Sequence, residues 1–471
     1  MLLIAKKSNF FEMSPIPKTY RSFLWNIKKY FFLTSALLIW IAGSVQAQSL
    51  LTLKEAIRQG IENRKNVQSG KMDIKLRKLQ TEALIRKYWP QVSFEYLNQY
   101  NPILATSILP IGIFNPSYPI DATKAVQFGT KWSQNAGLSL IQPLLDLTIG
   151  RQINEYQLQE RISKGTEAQV EYQLAYDIAQ AYNNIMIQES QIAISIADSN
   201  RTWISYQLQK NKFESHRLLK SDFNAALINH HNAVQKWKDA LSLMIENKVF
   251  ILYLIGQKNI QNVDFKLDTG LVVLPIQELI LQFDSIPEIQ SLSLEERLPS
   301  LQIKSERAKF LPNISLKGFL GANQYTNSFN PFQSGTWFGN SYLGLDIKIP
   351  FLNGDDKPRI IQQYHIQENQ FKIQKEDKLE AYRKDAITAR IRMERIMDQL
   401  KNQEENIKLS IENIQIFQDR VKEGQETASN LNTLESSLQD LEANLELAKK
   451  QYWAYQLDFL KASGKLFLLW N

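Results

Sequence analysis

Residues with side chains suited to chemistry are few in this sequence and stand apart from one another. Four histidines occur, His216, His230, His231 and His365, and an imidazole can act as a general base or as a metal ligand. Their spacing supports neither use, because paired metal ligands on a helix recur three to five residues apart, whereas the adjacent His230 and His231 project from different faces. The chain contains no cysteine, which removes disulfides, thiol catalysis, thiolate metal sites and a lipid-modified N-terminal cysteine. No nucleophile motif or glycine-rich phosphate loop is present. Carboxylates are plentiful, but they fall on charged helix faces, where solvation is their ordinary role. The expectation is a protein that is not an enzyme and has no cofactor and no bound metal.

The elements that would carry such residues are long. Only 18 glycines and 15 prolines interrupt 471 residues, which favours a few extended helices over many small elements. Residues 21–47 read as an export signal: Arg21, Lys28 and Lys29 precede an apolar run from Tyr30 to Ala42, and Val45 and Ala47 sit at cleavage spacing. The competing reading, an N-terminal anchor, is disfavoured because that run falls short of the roughly 20 apolar residues of a span. Met13 is an alternative start. Residues 1–47 hold six basic residues against Glu12, so five of the formal +7 belong to this leader and the rest of the chain keeps about +2. That removes the nucleic-acid reading a basic isoelectric point would invite. No later segment is long enough to cross a bilayer as a helix.

The chain repeats itself. Setting Lys65 on Pro287, an offset of 222, pairs Val67 with Ile289, Leu76 with Leu298, Leu79 with Leu301 and Pro90 with Pro312. GLSLIQP at 137–143 matches GLDIKIP at 344–350, and Phe213–Gly256 matches Val421–Gly464 at an offset of 208. Three pairings in one order describe a duplicated unit of about 210 residues. The first copy has 53 residues from Pro90 to Pro143 where the second has 38 from Pro312 to Pro350, so the difference lies in a connection between strands. The expected organisation is a signal peptide at 1–47, a first repeat at 48–270 and a second at 271–471. Helical patterns cover 52–88, 148–213 and 218–254, then 276–310 with interruption near Pro287 and a kink at Pro299, then 357–421 and 427–462. In the last helix Leu431, Leu434, Leu438, Leu441, Leu445, Ala448, Tyr452, Tyr455 and Phe459 step by three and four, the seam of a coiled-coil-like assembly.

Between the helices come short strands with period-two alternation. Val92, Phe94 and Tyr96 oppose Ser93 and Glu95, and Leu345, Ile347 and Ile349 oppose Gly344, Asp346 and Lys348. Apolar-out and polar-in is what a transmembrane barrel wall requires, although a half-buried soluble sheet gives the same pattern. Aromatic residues near strand ends (Trp89, Tyr96, Tyr100, Trp132, Phe319, Tyr325, Trp337, Tyr342) favour the membrane version, in which rings form interfacial girdles. Four strands cannot close a barrel, and an open edge is forbidden in hydrocarbon, so other copies must pair the edges. Two chains would give eight strands and three would give twelve, with room for a lumen.

Over essentially the whole chain after the leader, the sequence resembles the TolC-type outer-membrane efflux family. The residues that carry the resemblance are LTLKEAIRQGIENRKNV at 51–67, the paired YWPQVSF and FLPNISL, the paired LIQPLLD and IKIPFLNG, and the closing EGQETASNLNTLESSLQDLEANLELAKKQYWAYQLDFLKASG. The resemblance implies a mixed fold of α-helix and transmembrane β-strand with an internal two-fold repeat. Long antiparallel helices form a periplasmic α-barrel continuous with a 12-stranded β-barrel in a homotrimer, four strands from each chain. It implies a passive exit duct in the outer membrane of a Gram-negative bacterium, extending into the periplasm. Its partners would be outer-membrane lipid, a periplasmic adaptor of the membrane fusion type and an inner-membrane pump, of either the resistance-nodulation-division or the ABC type, with no nucleic acid.

In that family the periplasmic tip lies at the break after each long helix. Here the second copy has Gly424 at the turn, and Asn430 and Thr433 at positions that are acidic in some members. The first copy has Ser215 and His216 at the turn, with His216 in place of glycine, and Asp222 six residues later. Asp222, Asn430 and Thr433 are thus the gate candidates, with Asp222 the one carboxylate among them; Ser215, His216 and Gly424 mark the turns that would meet an adaptor. A solvated helix-start carboxylate is the simpler reading of Asp222. Trp89, Pro90, Pro143, Leu311, Pro312 and Pro350 mark the helix-to-barrel junctions. Two other readings remain open from the sequence, a coiled-coil envelope scaffold without a pore and a periplasmic enzyme on a helical frame.

Overall fold

The computed structural model describes residues 50–114, 117–258, 265–268, 281–350, 356–426 and 428–470. The expected leader at 1–47 and residues 276–280 of the fourth helical pattern lie outside these residues. The described residues fall into two compact units. In the smaller, strand β1 (Leu50–Leu51) pairs in parallel with a second two-residue strand, Lys266–Leu267. All the remaining elements belong to the larger unit.

That unit follows the order expected from the sequence, with local corrections. The first helical pattern is two helices, α1 (Leu53–Asn63) and α2 (Lys65–Arg86), because Arg64 between them is extended at φ −67°, ψ 130°. Strand β2 (Gln91–Tyr100) follows Pro90 directly. The longer first-copy connection holds an element that the sequence reading missed, a hairpin of β3 (Ala105–Pro110) and β4 (Thr123–Phe128) with a four-residue helix, α3 (Ile111–Phe114), at its turn. Then come β5 (Trp132–Leu145), the 68-residue α4 (Leu147–Glu214) and α5 (Lys220–Leu254). At 1.5 Å per residue α4 runs for about 100 Å.

The second half begins with α6 (Pro287–Glu295), for which Pro287 supplies the favoured first-turn proline, and α7 (Leu298–Ala308). Pro299 does not kink a continuous helix: the helix stops at Glu295 and Pro299 sits in the first turn of the next, where its missing N–H costs nothing. With the two-residue strand at 266–267 counted as β6, β7 (Asn313–Thr326), β8 (Trp337–Lys348), the 66-residue α8 (Lys357–Lys422) and α9 (Ala428–Ala462) complete the chain.

Helix α4 is the spine of this unit. Helices α1, α2, α5, α6, α7 and α9 all pack against it, while α8 lies along α9, α6 and α7. Its buried stripe, Tyr172, Ala175, Ile178, Ala179, Tyr182, Ile185 and Met186, recurs every three or four residues and so forms one face. Against it α9 sets Trp453 and Leu457, which cluster with Ala179 beside the partly buried Leu53, Tyr176 and Leu469. Polar contacts bridge the same seam. The Tyr172 hydroxyl donates to the Lys461 carbonyl at 2.7 Å and the Tyr176 hydroxyl donates to Asp458 at 2.6 Å. Lys450 donates to the Met186 carbonyl at 2.9 Å, and burial holds its ammonium below the ordinary lysine range.

The heptad seam of α9 is sheltered along its whole described length, yet only Ala448, Tyr452 and Phe459 of its members are deeply buried. Beyond Ala448 the helix buries a second face, Trp453, Leu457 and Leu460, which a single-seam reading passes over because α9 there meets α4 as well as α8.

All four long helices end alike. His216, Gly424, Gly256 and Gly464 have φ of 57°, 72°, 73° and 77°, and the next N–H reaches back five residues: Arg217 to Lys212, Gln425 to Arg420, Gln257 to Leu252 and Lys465 to Leu460. This is the Schellman closure, which needs a left-handed residue and favours glycine. Because a Cβ in that conformation costs roughly 1 kcal/mol, Gly424→Ala should loosen the second tip by about that much while His216→Gly leaves the first intact or tightens it. Limited proteolysis at residues 420–430 reads the difference: faster cleavage is expected in Gly424→Ala only.

Candidate functional site

Strands β2, β5, β7 and β8 form one antiparallel sheet in the order β2-β5-β7-β8. The register sorts every residue to a face. One face carries Val92, Phe94 and Tyr96, then Leu138 and Leu140, then Leu316 and Leu320, then Leu343, Leu345 and Ile347. Phe94, Leu320, Leu343 and Leu345 are each at least 65% exposed, so this apolar surface has no cover among the described residues. The other face carries Ser93, Glu95, Ser139, Asn135, Asn323, Lys317, Asp346 and Lys348. Its polar groups pair across strands: Asn135 donates to Asn323 at 2.7 Å, Lys317 meets Asp346 at 2.8 Å, and the Ser139 hydroxyl donates to Glu95 at 2.5 Å. The alternation in the sequence is thus carried through most of the sheet, with Leu97, Ile141 and Phe338 as apolar exceptions on the polar face and Asn98, Gln134 and Gln324 as polar ones on the apolar face.

The aromatic residues expected at the strand ends divide between the faces. Tyr96, Tyr100, Trp132 and Trp337 lie on the apolar face, and Tyr100 and Trp132 pack at 4.7 Å between ring centroids near the loop end of the sheet. Phe319, Tyr325 and Tyr342 lie on the polar face instead. Phe319 is buried there because its ring lies over Gly137 and Gly321: a Cβ built on either glycine would come within 2.8 Å of its Cζ.

The junction residues fall as follows. Pro90 and Pro312 each stand one residue before a strand, and Trp89 and Leu311 are exposed just ahead of them. Pro143 is not a junction: it lies inside β5, opposite Ser315, where a bulge before Leu145 absorbs its missing ladder donor. The junction proper is Asp146, whose carboxylate caps α4 by accepting from Thr148 N and Ile149 N at 2.9 and 3.1 Å. Pro350 lies two residues beyond β8. Two contacts missed in the sequence brace these corners. The Tyr88 hydroxyl donates to the Asp146 carbonyl at 2.6 Å, and the Lys357 ammonium sits 3.8 Å from the Phe310 ring centroid. The alignment of Tyr88 with Phe310 was legible; their partners across the sheet were not.

At the opposite ends of the long helices, Ser215, His216 and Gly424 occupy the two tight turns, and Asp222 lies exposed in the first turn of α5. Asn430 and Thr433 are exposed on the first turns of α9, and Asn430 donates to Glu426 at 3.1 Å. Within one chain the structure does not bring Asp222 together with Asn430 or Thr433 through any described contact. The first tip is braced by an aromatic stack, Phe213 on Phe223 at 5.0 Å and Trp203 beside His230 at 5.2 Å. His230 has its Nδ1 3.3 Å from the Thr202 hydroxyl, a packing role in keeping with the absence of metal-ligand spacing. Among the described residues no group of three His, Asp or Glu side chains could hold a metal ion, and no helix is long and apolar enough to cross a membrane.

No family model matches the chain, and no curated protein matches it in sequence. Solved structures do match. The outer membrane protein VceC of Vibrio cholerae superposes with a TM-score of 0.65 at 12% identity, over 88% of this chain and 96% of that one. The CmeC outer membrane channel of Campylobacter jejuni gives 0.65 at 14%, over 88% and 85%. The open state of the MtrE outer membrane channel of Neisseria gonorrhoeae gives 0.60 at 16%, over 88% and 89%. At such identities the likeness is one of fold: the helical and strand parts expected from the sequence are those these channels share.

Proposed function

We propose that this chain is the protomer of a passive outer-membrane exit duct, closed as a homotrimer, in the envelope of a Gram-negative bacterium. The observation that carries the reading is the two-faced four-stranded sheet. Strands β2 and β8 are its edges, and its uncovered face is mainly apolar from the Phe94–Leu138–Leu320 row to Ile347, with polar Asn98, Gln134 and Gln324 toward the loop end. The ten residues of β2, at about 3.3 Å each and tilted by about 40°, rise about 25 Å, the height of an outer-membrane apolar band. Three such sheets pair their edges into twelve strands, with the polar face lining the lumen.

The helices support the same assembly. Met72, Leu76 and Leu79 on α2, and Ile366, Ile373, Ile387 and Ile391 on α8, are exposed in the single chain at coiled-coil spacing. In a ring of three chains these stripes pack between neighbours as a periplasmic tube. The matching left-handed closures at His216 and Gly424, and at Gly256 and Gly464, support descent from a duplicated unit. The tips at Ser215, His216 and Gly424 would meet a periplasmic adaptor, and Asp222, with Asn430 and Thr433, would line the entrance. An inner-membrane pump supplies the work, and the duct itself catalyses nothing.

Deleting 91–142 together with 313–349 tests this reading. The shortened chain should appear in the soluble periplasmic fraction and lose all outer-membrane insertion. A deletion protein that still assembles with full stability would favour the scaffold reading.

A further inference from the structure

Glu95 stands out on the polar face. Asp346 has Lys317 as counter-ion, whereas the described partners of Glu95 are two hydroxyls, Ser139 at 2.5 Å and Ser93 at 3.4 Å. Ser93 and Ser139 are themselves 2.7 Å apart, so the carboxylate is held by a small hydroxyl network and not neutralised. In the register Glu95 shares its row with Gly137, Gly321 and Asn340, the barest row of the sheet. The Phe319 ring lies over those two glycines, beside the carboxylate, and Tyr342 stacks on Phe319 with centroids 6.0 Å apart and planes 21° from parallel. Tyr342 is 58% exposed, so this aromatic shelf offers a free face.

A carboxylate beside an exposed aromatic shelf is the chemistry that recognises an organic cation: charge from the one, cation–π and dispersion from the other. Threefold repetition strengthens it. Twelve strands about 4.8 Å apart and tilted about 40° enclose a radius of about 12 Å, so three Glu95 side chains reach to within about 8 Å of the axis. That is about one Debye length at physiological salt, so an ion on the axis feels all three. We propose that Glu95, with Phe319 and Tyr342, forms a belt inside the barrel that selects cations and retains planar organic cations in transit. The belt rests on the trimeric duct reading and adds a selectivity element remote from the helix tips. Lys348, on the same face, lies at the helix end of the sheet, four rows from Glu95.

Planar-bilayer recording in a KCl gradient tests it, with ethidium as the probe for retention. The wild-type channel should favour K⁺ over Cl⁻ severalfold, and Glu95→Gln should bring the ratio close to one and weaken ethidium block about tenfold. Tyr342→Ala should weaken the block severalfold and leave the ion ratio unchanged. Because the chain lacks cysteine, Glu95→Cys can be labelled cleanly: an anionic thiosulfonate should restore cation preference and a cationic one should invert it. A conducting Glu95→Gln channel with the wild-type ratio, or a label without effect, overturns the belt and leaves the duct standing. In that case a cation from the neighbouring copy neutralises Glu95. A wild-type protein that forms no channel overturns both readings, and is told apart because no ratio can then be read.

Discussion

Gly321→Val is expected to abolish the assembled protein in the outer membrane. A Cβ at Gly321 collides with the Ala136 carbonyl oxygen and comes within 2.6 Å of the Gly137 Cα and 2.8 Å of Phe319 Cζ. Two of those three obstacles are backbone atoms of β5, which cannot rotate away as a side chain would. Relief requires β7 to move off β5, and that breaks ladder hydrogen bonds which, in the proposed membrane barrel, no water can replace. Each unsatisfied backbone group in hydrocarbon costs several kcal/mol, more than the usual margin of a folded protein tolerates when two or more are lost. Gly344→Val is the control. It lies on the same polar face, one strand away, and a Cβ there meets nothing within 4 Å. Comparable expression with no heat-resistant oligomer for Gly321→Val, and wild-type amounts for Gly344→Val, is the expected pair of results. Equal amounts of both would show that this part of the sheet does not pair as described.

The second large effect is Trp453→Ala. The indole is 1% exposed in the cluster with Ala179 and Leu457, and it joins α9 to the spine α4 with Leu53, Tyr176 and Leu469 around it. Truncating a buried tryptophan to alanine removes its transfer free energy and leaves a cavity between rigid helices, a loss of about 3–5 kcal/mol. A large fall in the thermal midpoint of helical circular dichroism is expected, with Trp453→Phe intermediate. Trp203, 47% exposed near the first tip, serves as contrast, since Trp203→Ala should move that midpoint little. Equal shifts for the two would place the stabilising seam elsewhere.

Much of this architecture could be read from residue order because the physics is local and periodic. The change of period at Pro90 and Pro312 falls one residue before each strand and four after each helix ends, since a proline blocks any continuation of the helix. The alternation around Glu95 was equally plain, and it placed that carboxylate on the polar face; what the sequence did not hold was its company. Glu95 meets Ser139 and the Phe319 shelf only through a register linking residues from β2, β5 and β7, and single-chain periodicity carries no information on register.

Other misses have similar causes. The hairpin of β3 and β4 was hidden because Pro102, Pro110, Pro116 and Pro119 break the isoleucine-rich segment into pieces too short to show a period. Pro143 was read as a boundary because proline usually is one, but a bulge lets β5 run two residues further. His216 shows the reverse case: its offset from Gly424 identified the turn, and the left-handed backbone explains why glycine occupies the equivalent place. The gate candidates differ in kind. Asp222 lies on α5 whereas Asn430 and Thr433 share α9, and any ring they form depends on neighbouring copies.

The account turns on three copies closing one barrel around a lumen, and single-channel conductance of the protein extracted from outer membranes in its native assembly tests this most directly. The prediction is a detergent-stable trimer, resistant to dissociation until heated, that gives stable, ohmic conductance steps in a planar bilayer. A water-soluble monomer or dimer that leaves the bilayer silent would contradict it.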